Sequence, residues 1–198
     1  EEGKWAILFT IDSGFNTGGV FFKKHLGDNH AVRLGAEFSV NTRSGDISSD
    51  TSSVVYESGS QERDQVGVHV ELIAQRYARV TGSAHVFYGI GPFFDYREYH
   101  DEWDVAWADD REFRSYDEEY YSVGGLFLVG GEWFASKALS LDIEYLVSFG
   151  YNSSSRENVN QSYDNGGPPR PTQTRNDELS GWFIDAGNAV RFGLGIYF

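Results

Sequence analysis

The stretch that decides the fold is Ile184-Asp185-Ala186-Gly187-Asn188-Ala189-Val190-Arg191-Phe192-Gly193-Leu194-Gly195-Ile196-Tyr197-Phe198. Ile184, Ala186, Asn188, Val190, Phe192, Leu194, Ile196 and Phe198 alternate with Asp185, Gly187, Ala189, Arg191, Gly193, Gly195 and Tyr197. Successive strand residues point to opposite faces, so this period of two predicts a long strand with one apolar face and one of glycine and charge. The same period recurs upstream, where Leu139, Leu141, Ile143, Tyr145, Val147 and Phe149 alternate with Ser140, Asp142, Glu144, Leu146, Ser148 and Gly150. Working further outward, it reappears in Tyr121 to Trp133, Tyr88 to Tyr96, Val66 to Leu72 and Val32 to Val40, and more faintly in Gly19 to Leu26 and Trp5 to Asp12. The reading is all-β, with about eight strands.

The connections carry a second signal. Gly27-Asp28-Asn29, Ala78 to Ser83 and Ala135 to Ala138 are short, whereas residues 42–64, 98–119 and 151–181 are long, polar and read as loops; only Ser13 to Gly18 is brief on the long-loop side. Short turns at one end and long loops at the other are the layout of an up-and-down membrane barrel. No repeat, helical period or linker divides the chain, so residues 1–198 are read as one domain.

Composition narrows the function. The chain has 198 residues with 16 Lys+Arg against 30 Asp+Glu, a net charge of −14. Nothing there neutralises phosphates, so nucleic acid is excluded as a partner. The absence of Cys rules out thiolate catalysis, disulfides and Cys-bound zinc. A start at Glu1 without an apolar leader is read as a processed chain whose signal peptide is already removed. Mean hydropathy is −0.44, and no apolar run reaches the roughly 18 to 20 residues of a transmembrane helix. Barrel strands hide their hydropathy in alternation, so neither observation bears on a barrel.

With these features, the chain resembles the small eight-stranded outer-membrane β-barrels of Gram-negative bacteria, the OmpA-transmembrane-domain and OmpX-like class. The resemblance rests on the terminal Gly195-Ile196-Tyr197-Phe198, with support from Lys24-His25-Leu26 and Gly131-Glu132-Trp133-Phe134. It implies that Tyr197 and Phe198 form the assembly signal presented to the outer-membrane insertion machinery. It also implies outer-membrane lipid around the barrel, both termini on the periplasmic side and four connections outside. A soluble lipocalin-like binding barrel is the competing reading, for which Gly3-Lys4-Trp5 offers a short match. Such a barrel lines its interior with apolar groups, whereas here the continuous apolar face is aromatic and the other face is charged; that inside-out distribution favours lipid outside.

On the polar face lie Arg33, Glu37, His69, Glu71, Asp95, Glu132, Asp142, Glu144, Asp185 and Arg191, with Lys23. An eight-stranded lumen is just wide enough for side chains to fill, which predicts a charge network of Arg33, Glu37, Glu71, Glu132, Asp142, Glu144 and Arg191. Acids outnumber bases, so some carboxylates must be protonated, hydrated or in contact with a cation. Such a network serves as a structural core or as a proton or small-ion path.

Between Glu98 and Glu119 there are ten acids and two bases, so −10 + 2 = −8 of the charge of −14 sits there. Tyr99, Trp103, Trp107, Phe113 and Tyr116 are interleaved with it, a composition that suits either a partner surface or an aromatic girdle at the barrel rim. The five histidines show no paired metal spacing and the acids match no EF-hand loop. Lipid-modifying barrel enzymes use Ser, His and an acid near the rim, a set that His100 and Asp101 with a loop Ser would mimic. The expectation is a non-enzymatic barrel with a structural or partner-docking role and no cofactor, metal or catalytic residue. A narrow pore or small-solute conduit and a lipid-modifying enzyme are the alternatives.

Overall fold

A computed structural model describes the chain apart from residues 1–3, 13–16, 28, 52–54, 80–81, 107–109, 165–171 and 186–189. The described strands are β1 (Trp5–Asp12), β2 (Thr17–His25), β3 (His30–Thr51), β4 (Val55–Arg79), β5 (Ala84–Ala106), β6 (Asp110–Phe134), β7 (Leu139–Asp164), β8 (Gln173–Asp185) and β9 (Val190–Tyr197). Neighbours in sequence pair antiparallel from β1 through β7. β8 and β9 are successive pieces at the eighth position, for β7 pairs with β8 from Ser148↔Asp185 outward and with β9 from Tyr145↔Val190 back to Leu139↔Ile196. β9 then pairs with β1 from Ala6↔Tyr197 to Asp12↔Arg191, and Trp5 and Phe198 exchange backbone hydrogen bonds of 3.0 and 3.2 Å. The ring is therefore closed, an eight-stranded antiparallel up-and-down barrel without an exposed edge at this level.

Alternation sorts the side chains as the sequence implies. Leu8, Phe21, Arg33, Glu71, Phe87, Leu128, Glu132 and Glu144 point inward and are buried, whereas Phe9, Phe22, Leu34, Leu72, Ile90, Phe127, Ile143 and Leu194 stand on the outer surface. Aromatic pairs lie toward the end remote from the termini, Tyr96 with Tyr121 at 5.1 Å and Tyr151 with Trp182 at 5.7 Å between ring centroids. At the other end Trp5 and Trp133 face outward, and Lys24 reaches over the Trp5 ring at 4.8 Å. A continuous apolar band between aromatic girdles, around a charged interior, is the surface that hydrocarbon covers. The protein is a membrane β-barrel whose lumen holds buried charges such as Arg33, Glu71, Glu132 and Glu144 beside its apolar clusters.

The three long connections read as loops over 42–64, 98–119 and 151–181 are instead strands for most of their length. The ladder continues through Asn41↔Gln65 to Thr51↔Val55, Glu98↔Glu119 to Ala106↔Arg111, and Asn152↔Gly181 to Asn160↔Gln173. Backbone pairing persists there while both faces have turned polar, and with no apolar partner to alternate against, the period of two fades from the sequence. β2 stops pairing at Thr17↔Ser39, so beyond Ser39 the ring gives way to an open sheet of β3 to β8. From Tyr96 to Ala106 alone β5 extends beyond the girdle by roughly 30 Å of strand.

Candidate functional site

Two ion-paired clusters lie in the lumen beside two apolar ones, one around Ile73, Phe87 and Leu128 and one around Ala6, Leu8 and Phe21. Nearer the termini, Lys23 Nζ on β2 donates to both carboxylate oxygens of Glu132 on β6 at 2.8 and 2.9 Å and to Tyr77 OH at 3.1 Å. Glu132 also accepts from Ser140 Oγ at 2.7 Å and from Tyr197 OH at 2.6 Å. Tyr197 of the expected assembly signal is thus a buried lumen residue, while its neighbour Phe198 is exposed on the outside.

Farther from the termini, Arg33 on β3 spans two carboxylates, Glu71 at 2.6 Å and Glu144 in closer contact. Arg191 on β9 contacts Glu37 at 2.6 Å and both Glu71 and Glu144 at 3.3 Å. Both guanidinium groups lie over the ring of Phe21, at 4.9 and 5.0 Å from its centroid. The ring in turn covers Gly35, its direct partner across the β2–β3 ladder, where a Cβ would fall 2.1 Å from Phe21 Cδ1. Among the described residues six carboxylates, Glu37, Glu71, Asp95, Glu132, Asp142 and Glu144, thus share the lumen with Lys23, Arg33 and Arg191. Asp142 is buried beside Gly193, and its Oδ1 has no hydrogen-bond partner among the described residues. Of the seven residues expected in one network, Arg33, Glu37, Glu71, Glu144 and Arg191 lie in this cluster, Glu132 lies in the other with Lys23, and Asp142 is buried with no ion pair to either among the described residues; Asp185 is exposed at the rim.

Sequence reasoning missed Phe21, the platform beneath both arginines. Adjacent Phe21 and Phe22 stand on opposite faces of β2, and nothing local marks which one faces in. Tyr77 and Ser140 were also passed over, their role being visible only once Glu132 is placed between them.

In the projecting sheet, the expected aromatic anchors do not form one patch. Tyr99 and Tyr116 pack edge to face at 5.6 Å, and their hydroxyls donate to Asp101 at 3.0 Å and Glu118 at 2.6 Å. Trp103 lies opposite Arg114, whereas Phe113 lies opposite Asp104, one residue along and hence on the other face. Trp107 is outside the described residues. Arg63 pairs with Asp101 and Arg156 with Glu118, both at 2.9 Å. Against the upward push of burial, hydrogen bonds from Gln61, Arg63 and Tyr99 hold Asp101 below the usual carboxylate range. Burial and the bond to Glu118 push the Tyr116 hydroxyl up to about 12. The opposite face is acidic, with Glu62 across from Glu102, Glu98 from Glu119 and Asp117 from Glu157. Like charges set directly opposite one another destabilise a sheet, so stability alone does not explain that face.

His100 stands on the acidic face, with Nδ1 against Asp117 and Nε2 3.2 Å from Glu102. Asp101, its neighbour in sequence, points to the other face and is engaged by Arg63. No serine hydroxyl is placed on the imidazole among the described residues, and Ser115 Oγ donates to Asp117 instead at 3.3 Å. The hydrogen bond to Asp117 raises the His100 pKa above its ordinary 6.5. The imidazolium therefore adds stability that is complete below pH 6.5 and is lost as pH rises through the raised folded value. Because the ring is a third exposed, the effect is small, no more than about 0.5 kcal/mol. Amide protection factors at His100 and Asp117 are expected to fall by that amount as pH rises, and His100→Gln to abolish the slope; an equal slope in the variant would assign it to another group.

No family model and no curated protein matches this chain. Among solved structures it is similar to a major outer membrane protein from Thermus thermophilus, with 13% identity, 100% of both chains covered and a TM-score of 0.43. It is also similar to CarO2 of Acinetobacter baumannii, with 11% identity, 100% of this chain and 99% of that one covered and a TM-score of 0.45. A third is Ail, the attachment invasion locus protein of Yersinia pestis, with 10% identity, 100% of both chains covered and a TM-score of 0.33. All three are small outer-membrane β-barrel proteins.

Proposed function

We propose that this chain is a non-enzymatic barrel of a bacterial outer membrane, with its termini in the periplasm and its projecting sheet outside the cell, where it docks a protein partner. The observation that supports this most is the contrast between the two halves. The Arg33, Arg191, Glu71 and Glu144 cluster crosses the lumen, whereas β3 to β8 continue well past the girdle and set like charges opposite one another. A charge cluster across the lumen weighs against a pore, and the carboxylate clamp on His100 weighs against an acyl-transfer site. The acidic outer face suits a basic partner surface, since complementary charge steers encounter and fixes register.

Gentle detergent extraction of native membranes followed by size analysis tests the proposal. A stoichiometric larger partner, released at high salt and lost when Glu98 and Glu119 become glutamine, is the expected result. A lone barrel with steady conductance in planar bilayers would replace docking with the conduit reading. The membrane assignment has its own test. Phe198 is expected to present the assembly signal to the insertion machinery, so deleting it should leave synthesis intact and deplete the chain from the outer-membrane fraction. Undiminished outer-membrane levels of the truncated chain would remove that role.

A further inference from the structure

The lipid-facing surface is notched at Gly131. Alternation turns Gly125 and Gly131 of β6 outward into the apolar band, with Phe127 and Val129 exposed between them. At Gly125 the ring of Phe149, the direct partner on β7, takes the place of a side chain, one ring atom lying 2.3 Å from where a Cβ would sit. At Gly131 the nearest atom to that place, beyond the chain neighbours, is the His85 carbonyl oxygen at 3.9 Å. The barrel covers one stretch of bare backbone with its own aromatic ring and leaves the other open.

The opening is a groove of about 410 Å³. Val86 and Ile143, which flank Gly131 across the two ladders, form its sides, and Trp133 and Leu141 line its end toward the termini. All four side chains are exposed, so the groove runs on into the surface that hydrocarbon covers. We propose that it holds an acyl chain of one anionic glycerophospholipid, drawn from the leaflet on the side of the termini. The site requires only the membrane barrel.

Continuity with that surface gives the first argument. Glycine within a strand marks a place where a ligand or another backbone comes close, so an acyl chain and a second barrel are the occupants that a lipid-facing notch admits. A stable protein interface takes about 20 to 30 residues a side, and nine line this groove. That is the scale of one chain, not of a barrel wall.

Charge gives the second. Lys137 stands in the Ala135 to Ala138 turn, just beyond Trp133 and Leu141, and Arg76 faces outward on β4, diagonal to Val86 across the β4–β5 ladder. Both are exposed, and neither pairs with a carboxylate among the described residues. A cation on an apolar surface extends its stem toward the headgroup layer, where a phosphate satisfies it. A lipid seated in the groove brings its phosphate to these two cations. A two-fold contact between barrels through the same patch would instead set the Arg76 and Lys137 of both copies against each other. Charge therefore favours the lipid over a second copy.

The test is native mass spectrometry of the purified full chain in detergent micelles, titrated with dioleoylphosphatidylglycerol or with dioleoylphosphatidylcholine. One phosphatidylglycerol is expected to be retained per barrel, about tenfold more tightly than phosphatidylcholine, whose head carries no net charge. Gly131→Leu, which the open space admits, is expected to lower the affinity for both lipids at least about tenfold with the barrel still folded. The same enlargement on the outward face of β3, Ala36→Leu, should leave retention as in the parent. Lys137→Gln and Arg76→Gln should each weaken phosphatidylglycerol about fivefold and phosphatidylcholine little. No retained lipid, retention that Gly131→Leu leaves unchanged or that Ala36→Leu lowers equally, or equal affinity for the two lipids would each overturn the site. A barrel dimer lost in Gly131→Leu would overturn it too, by giving the groove to a second copy. Partner capture is read at the other end of the barrel, so failure here leaves the docking reading standing.

Discussion

Arg33→Ala is expected to destabilise the barrel by about 3 to 5 kcal/mol, the range for removing one partner of a buried ion pair. Arg33 is fully buried and is the residue through which Glu71 and Glu144 are both neutralised at short range. Without it, the two buried carboxylates keep Arg191, 3.3 Å from each and also committed to Glu37, and Glu71 keeps the His69 imidazole at 3.4 Å. Arg191→Ala should cost less, a few kcal/mol, since Arg191 lines a lumen cavity of about 420 Å³ while Arg33 does not. Reversible urea unfolding in lipid vesicles measures both. The double variant Arg33→Ala/Glu144→Gln should recover part of the loss, because it removes one of the stranded charges along with its partner. A loss under about 1 kcal/mol for Arg33→Ala would mean that water or a cation reaches these carboxylates freely.

The sequence made the barrel legible wherever one face met hydrocarbon and the other did not. Leu141, Ile143 and Tyr145 against Asp142 and Glu144 declare both the strand and its orientation, and the same holds for Val190 to Phe198. The charges of the lumen were legible for that reason, as the polar positions of alternating strands. Which charge meets which was not, since Arg33 and Glu144 lie 111 residues apart and are joined only through ring closure. The sheet above the membrane was lost altogether as strand. Around Arg63, Asp101 and Glu118 both faces are polar, and a paired backbone without an apolar face looks like a loop in sequence. His100 shows the same limit at the scale of one residue. Its neighbour Asp101 is adjacent in sequence but on the opposite face, and its actual partner Asp117 arrives across the β5–β6 ladder.

Gly35→Val should lower stability by about 3 kcal/mol, at the upper end of what overpacking a filled core costs. A Cβ at Gly35 would lie 2.1 and 2.4 Å from two ring atoms of Phe21 and 2.7 Å from the Val20 carbonyl oxygen. The backbone contact matters most here, because moving the ring aside cannot relieve it. The ring cannot move freely in any case. Both guanidinium groups rest on it, and displacing it drags Arg33 and Arg191 away from the carboxylates they hold. The cost therefore couples steric strain to loss of the ion-paired cluster, which gives the prediction a second readout. Phe21→Ala introduced together with Gly35→Val removes the ring contacts, leaves the carbonyl contact in place and takes away the platform for the arginines. If the ring does both jobs, the double variant recovers only part of the loss and stays well below the parent. Full recovery would show Phe21 to be a space-filler alone, and a Gly35→Val barrel within about 1 kcal/mol of the parent would show that the β2–β3 ladder yields at this point.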